Sequence, residues 1–302
     1  VVSGGTRARA VVFGCDGRVP GDTGGPLDAT FKLERNEWRG MVEPRLVLRH
    51  VEPCAPVGIE VLGEPNTYLG GVFAEFDAPL EPDRARLTGG RTILDRCGES
   101  QLAVLADAVA SSEPVLAVCA EVSRRLEGLA TRAGGFALIT YHALEREAQI
   151  AAPAVHLIAL DPPSSGTAND TLRAGCGFTH LAWGEPELRF ALQIHELEYG
   201  LRASLVALYR ALRDRGVVAG EELESLLRGD GQHGRPVRLA GRLVRVLTEL
   251  ELVSLDRDLP ALSVLSAEPT ELERSVAYRA YKARYEDGQR YLSSAKLRPR
   301  SD

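Results

Sequence analysis

The first sixty residues alternate in short runs. Residues 7–13 step between polar and small or apolar positions before a turn at 14–17, residues 28–33 alternate again, and residues 45–51 form a third run. A period of two puts successive side chains on opposite faces of a strand. With Gly and Pro clusters between the runs, this predicts a small β-barrel over residues 1–62. The opening Val1-Val2-Ser3-Gly4-Gly5-Thr6 reads as the middle of a hairpin, which sets the expectation that the chain begins inside a domain. Residues 63–97 are rich in Gly, Pro and charge with few periodic runs, and a linker is expected there.

From residue 98 the pattern changes. Helical spacing over 101–110 and 123–132 alternates with apolar runs at 115–119, 136–140, 155–160 and 179–183. Unbroken apolar strands separated by helices predict a parallel sheet covered on both faces, a RecA/Rossmann-like α/β domain over 98–195. Residues 196–302 read as helical. Leu201, Leu205, Leu208 and Leu212 share one helix face, and Leu239, Leu243, Val246, Leu247 and Leu250 share another. The second helix runs straight into Leu252-Val253-Ser254-Leu255, a turn at Asp256-Arg257-Asp258 and a further strand at 262–265, a winged-helix-like order. Tyr278, Tyr281 and Tyr285 at helical spacing are read as packing in preference to a base-stacking platform.

Composition narrows the picture. A net charge of −6 argues against a protein that coats nucleic acid wholesale, so any such binding must rest on a local basic face. Lys32, Lys282 and Lys296 are the only lysines, an arginine bias read as compositional. The five cysteines (Cys15, Cys54, Cys97, Cys119, Cys176) form no C-x-x-C pair, which argues against a zinc site or disulfide framework and points to a cytoplasmic setting. No apolar run is long enough for a membrane span, and no membrane partner is expected.

Catalytic signatures are weak. No Gly-Lys dipeptide exists, so the α/β domain lacks the loop that holds nucleotide phosphates, and the Asp161-Pro162-Pro163 turn is read as structural. Gly229, Gly231 and Gly234 fit G-x-G-x-x-G but follow a helical run where a dinucleotide site needs a strand. His195-Glu196 opens like a zinc-protease helix, yet position 199 is Tyr. Without a cluster of Asp and His ligands, no catalytic or metal-ligating residue is assigned, and no cofactor is expected in this segment.

The most specific stretch runs from Phe31 to Arg49. A hairpin carrying Lys32, Arg35, Asn36, Trp38, Arg39, Arg45 and Arg49, with Arg7 and Arg9 on a neighbouring strand, offers cations for a phosphate backbone and a π-face for a base. The plainer alternative, preferred for Trp38 by itself, is that it plugs the barrel while the arginines are solvated. Asn36-Glu37-Trp38-Arg39-Gly40 and Glu43-Pro44-Arg45-Leu46 resemble the N-E-W-N-G … P-Q-L signature in the OB-fold of RecJ-family exonucleases. The chain departs from it at Arg39 and Arg45, where the family carries Asn and Gln. The helical last third is also similar to the C-terminal region of many bacterial members, and the α/β domain to an extra nucleotide-free domain of long members.

The resemblance implies an OB-fold over 1–62, multidomain α+β architecture, and single-stranded DNA as partner. It further implies Asp-His-His phosphoesterase domains upstream that hold Mn²⁺ or Mg²⁺ and degrade single strands from the 5′ end in repair and recombination. A single-strand-binding protein and a helicase or ATPase are the implied protein partners. The rival expectation is a free-standing regulator or adaptor that uses its winged helix on duplex DNA.

Overall fold

The computed structural model describes residues 2–3, 6–7, 10–14, 27–53, 58–81, 88–230, 234–266 and 268–295. The opening strands β1 (Val2–Ser3) and β2 (Thr6–Arg7) pair antiparallel, as the hairpin reading of the first residues expects. Strand β3 (Ala10–Val11) runs parallel to β5 (Met41–Pro53), which pairs antiparallel with β4 (Leu27–Trp38) in the order β3-β5-β4. The described part of residues 1–62 is thus dominated by one long hairpin. Val47 is its buried apolar residue, and no hairpin residue joins the hydrophobic clusters of the described chain.

The α/β region begins earlier than its apolar strands announce. Strand β6 (Glu60–Val61) is followed by helix α1 (Tyr68–Asp77) and strand β7 (Thr92–Asp95). Then come α2 (Gln101–Val109), β8 (Val115–Cys119), α3 (Val122–Leu129), β9 (Ala137–Thr140), α4 (Tyr141–Arg146), β10 (His156–Ala159), α5 (Gly166–Arg173) and β11 (Phe178–Leu181). The six strands form one parallel sheet, ordered β6-β9-β8-β10-β11-β7. Val115, Ala117 and Cys119 point to one face, against Val104, Leu105, Val122 and Leu129; Leu116 and Val118 point to the other, against Leu144, Ala168 and Leu172. Burial on both faces is why these strands read as continuous apolar runs.

Residues 63–97, expected as a linker, instead carry α1 and the edge strand β7. Helix α1 was hidden by Gly70 and Gly71, which lower its intrinsic helix propensity; Thr67 caps it by accepting from the Gly70 amide. Packing makes it helical. Its Gly71 and Gly241 of α9 (Val237–Glu249) let the two helices meet so closely that an added Cβ would lie 2.4 Å from Val237 and 2.7 Å from the Val72 carbonyl, respectively. Edge strand β7 is held by buried Arg91, whose guanidinium donates to the carbonyls of Ala151, Ala154 and Ala174.

The helical region contains α6 (Glu185–Tyr199), α7 (Leu201–Arg215), β12 (Val217–Ala219), α8 (Gly220–Arg228), α9, β13 (Val253–Asp256), β14 (Ala261–Val264) and α10 (Val276–Ala295). The leucine faces predicted for α7 and α9 are buried together over the antiparallel sheet β12-β14-β13. Tyr278 and Tyr281 lie in the same core, as the packing reading expects, with Tyr285 partly buried against it. Helix α9 is covered almost all round, by α1 on one side and α6, α7 and α10 elsewhere.

Candidate functional site

The hairpin β4–β5 turns on two residues, Arg39 (φ 50°) and Gly40 (φ 79°), both left-handed. Such a turn matches the twist of the flanking strands, and it sets Trp38 directly opposite Met41 at the tip. Both are open to solvent, 69% and 73% exposed. Trp38 therefore does not plug a barrel in the described structure. The Arg39 guanidinium lies 5.9 Å from the centre of its ring.

The pairing register places Lys32, Glu34, Asn36 and Trp38 on one face with Met41, Glu43, Arg45 and Val47. On that face Arg45 donates to Glu34 at 3.3 Å, Lys32 reaches the other Glu34 oxygen at 3.3 Å, and Asn36 donates to Glu43 at 3.3 Å. The hydrogen bonds from Lys32 and Arg45 hold the Glu34 carboxyl below its ordinary value. Arg35, on the opposite face, pairs with Glu37 at 3.8 Å. Arg49 is exposed opposite the irregularity between Thr30 and Phe31. Residues 27–53 hold five Lys or Arg and five Asp or Glu, so the hairpin is electrically balanced and not a basic face. Of the two predicted residues on the preceding strand, Arg7 lies in β2, and Arg9 lies outside the described residues. The structure brings Trp38, Arg39, Asn36, Lys32 and Arg45 onto one hairpin, with Arg39 and Arg49 the cations that have no carboxylate within 4.0 Å among the described residues.

The carboxyl ends of the parallel strands are the other place where a ligand of such a sheet would sit. The strand order reverses between β8 and β10, and the chain's own side chains fill the crevice there. The Ala120 amide donates to Asp161 at 2.9 Å, Arg125 makes a two-point ion pair with the same carboxylate, and the Tyr141 hydroxyl donates to the Asp161 carbonyl at 2.5 Å. The Arg125 guanidinium stacks on Phe190 of α6 at 4.4 Å. Burial keeps the Asp161 carboxyl above its ordinary value even beside Arg125. These contacts agree with the structural role read for the Asp161 turn.

Farther along the same rim lies a buried ionic network that sequence reading missed. Arg242 of α9, 1% exposed, donates to Glu75 of α1 at 2.8 Å and to the Glu198 carbonyl of α6 at 2.9 Å, and its guanidinium stacks on Tyr199 at 4.1 Å. Arg238 bridges Glu198 at 2.7 Å and Glu64 at 3.4 Å. Arg284 of α10 pairs with Glu145 of α4, which also accepts from Ser165 at 2.8 Å. His142 Nε2 faces Glu75 Oε2 at 3.0 Å, off the axis of a hydrogen bond, and neither atom has a hydrogen-bond partner among the described residues. Burial by itself would raise both glutamates. The charge of Arg242 and the contact with His142 outweigh it and hold Glu75 well below the usual carboxylate range, while Arg238 and Arg242 hold Glu198 down to about 2. Burial lowers the His142 imidazole, against the pull of Glu75.

Beside the network is a cavity of about 230 Å³ whose wall includes Leu80, His142, Arg146, Tyr281 and Arg284. The network joins residues up to 174 positions apart, so no local spacing announces it. The one sequence signal was an arginine at position 242 set between Leu239 and Leu243 of a strongly apolar helix face. Among the described residues, no three His, Cys, Asp or Glu side chains group so as to hold a metal ion, and no helix is long and apolar enough to cross a membrane.

No protein-family model, curated protein or solved structure matches the chain.

Proposed function

We propose that this chain is the single-stranded-DNA-binding and partner-docking portion of a RecJ-type 5′→3′ exonuclease. In this reading the hairpin belongs to an OB-type barrel, and the α/β and winged-helix-like regions serve as a docking body. The observation that carries it is the solvent-exposed Trp38 ring at the hairpin tip, with the Arg39 guanidinium beside it. An exposed indole next to an unpaired cation offers a stacking surface that tolerates any base and a contact for the adjoining phosphate. The carbon surface of Met41 across the strand extends that platform. The balanced charge of the hairpin assigns stacking the larger share of its grip and phosphate contacts the smaller. Chemistry on the strand would belong to upstream Asp-His-His domains with Mn²⁺ or Mg²⁺, in the cytoplasm. A single-strand-binding protein and a helicase or ATPase are the proposed protein partners.

The winged-helix regulator reading has the order α7-β12-α8-α9-β13-β14 in its favour. In that arrangement α9 would be the helix that enters the major groove. Helix α9 is covered by α1, α6 and α10 and buries Arg242, which leaves no free face to present to a groove. The single-strand reading is therefore preferred. Anisotropy of labelled twenty-nucleotide strands and duplexes decides between the two. The proposal expects single strands to bind more tightly, with Trp38→Ala weakening them about tenfold, one stacked base at 1–3 kcal/mol. Tighter duplex binding that ignores Trp38→Ala would overturn it.

A further inference from the structure

The outer face of α7 carries three exposed arginines, Arg202, Arg210 and Arg213, with no carboxylate within 4.0 Å among the described residues. At 100° per residue they fall on one stripe with Val206, spanning about 80° and flanking the buried face of Leu201, Leu205, Leu208 and Leu212. At 1.5 Å of rise per residue, Arg202 and Arg210 stand roughly 12 Å apart along the axis, with Arg213 about one turn beyond. Between them lie exposed Ala203, Val206 and Ala207, which keep the surface low.

Exposed arginines on other helices divide: Arg146, Arg173 and Arg279 have no carboxylate within 4.0 Å among the described residues, whereas others are paired. Arg189 pairs with Glu185, Arg228 with Glu224 and Arg290 with Asp287, each within one turn of the same helix. Helix α7 has no acid in its first turn, where Arg202 opposes the helix dipole. Arg210 and Arg213 are like charges at a spacing where they repel. Asp214, the acid on this face, makes no ion pair with them. Arg202 and the repulsion between Arg210 and Arg213 weaken the isolated helix, while Arg213 in its last turn suits the helix dipole. The net charge of the chain gives no general reason for three cations on one stripe.

We infer that this face of α7 is a second strand-binding surface, which takes the phosphate backbone of single-stranded DNA. Three guanidiniums over about 17 Å match a polyanion, and the low alanine surface lets its backbone approach the helix. The inference rests on the proposed single-strand function but uses residues apart from the hairpin. The division of labour is bases on Trp38 and phosphates on α7.

The test measures affinity of the whole chain for a labelled twenty-nucleotide thymidine strand as salt is raised. Replacing all three residues by Gln (Arg202→Gln, Arg210→Gln, Arg213→Gln) should lower the slope of log affinity against log salt by about 2, since each single-strand phosphate contributes about 0.7. Replacing them by Lys should preserve the slope. Trp38→Ala should lower affinity at every salt with the slope intact. Should the triple Gln variant lose helical circular dichroism, each single Gln variant should lower the slope by about 0.7. An unchanged slope in the Gln variants, with Trp38→Ala still weakening binding, overturns the α7 surface and leaves the hairpin reading standing. A reduced slope with no effect of Trp38→Ala does the reverse. A chain that binds no single strand overturns both. Arginine-dependent binding of a polyglutamate peptide without strand binding would reassign α7 to an acidic protein partner.

Discussion

The hairpin and the ionic joint spend their charges in opposite ways. In the hairpin, Lys32, Arg35 and Arg45 meet Glu34 and Glu37 across solvated surface, where pairs of this kind contribute little. At the joint, Arg242 lies between Glu75 and Glu198 out of contact with water, where losing one member strands the others. One region is a protruding ribbon with large apolar side chains exposed; the other ties α1, α4, α6, α9 and α10 together at the rim of the sheet. The lesson is that an ion pair fixes structure where water is excluded, and that exposed pairs leave a surface free for other work.

Arg242→Met tests that contrast most severely. It leaves Glu75 and Glu198 buried with less compensation and should cost about 3–5 kcal/mol in urea unfolding. A loss under about 1 kcal/mol would mean that water reaches the joint. Acid should weaken the same region. Glu198 is held down to about 2 from an ordinary 4.5, so its contribution, about 3 kcal/mol, is full above pH 4.5 and fades as pH falls toward 2. His142 acts earlier and in the same direction. Burial lowers its imidazole, so below pH 6.5 the unfolded chain takes up the proton first and stability falls. Urea midpoints that stay level from pH 7 to 3 would contradict both.

The hairpin should respond far less. Arg45→Ala removes a solvated partner of Glu34 and should shift the urea midpoint far less than Arg242→Met, and Trp38→Ala should change stability by less than about 0.5 kcal/mol. A larger loss for Trp38→Ala would show that its ring is covered in solution.

What the sequence made legible follows the same division. Strands β8, β9, β10 and β11 announced themselves because both faces of the sheet are buried, so β8 is apolar throughout and the others are mostly so, with Thr140, His156, Thr179 and His180 the polar exceptions. The leucine stripes of α7 and α9 did so by helical period. Helix α1 did not, because Gly70 and Gly71 look like a loop, and the close approach of Val237 on α9 that explains Gly71 is a tertiary contact. The joint was invisible for a different reason: Glu75, His142, Glu198 and Arg242 are distant in sequence, and each in isolation looks like an ordinary surface charge. At the hairpin the residues were found but their setting was misjudged. Trp38 was expected to fill a core, whereas the left-handed turn at Arg39 and Gly40 carries it to an exposed tip.

The proposed role of that tip can be read from its own fluorescence. The chain has two tryptophans, Trp38 and Trp183, and Trp183→Phe leaves Trp38 as the sole indole emitter. Titration of this variant with a thymidine twenty-mer should quench its emission along the same curve that anisotropy of a labelled strand follows, because a stacked base contacts the ring directly. If anisotropy reports binding while Trp38 emission stays unchanged, the strand is held elsewhere and the hairpin is not the platform.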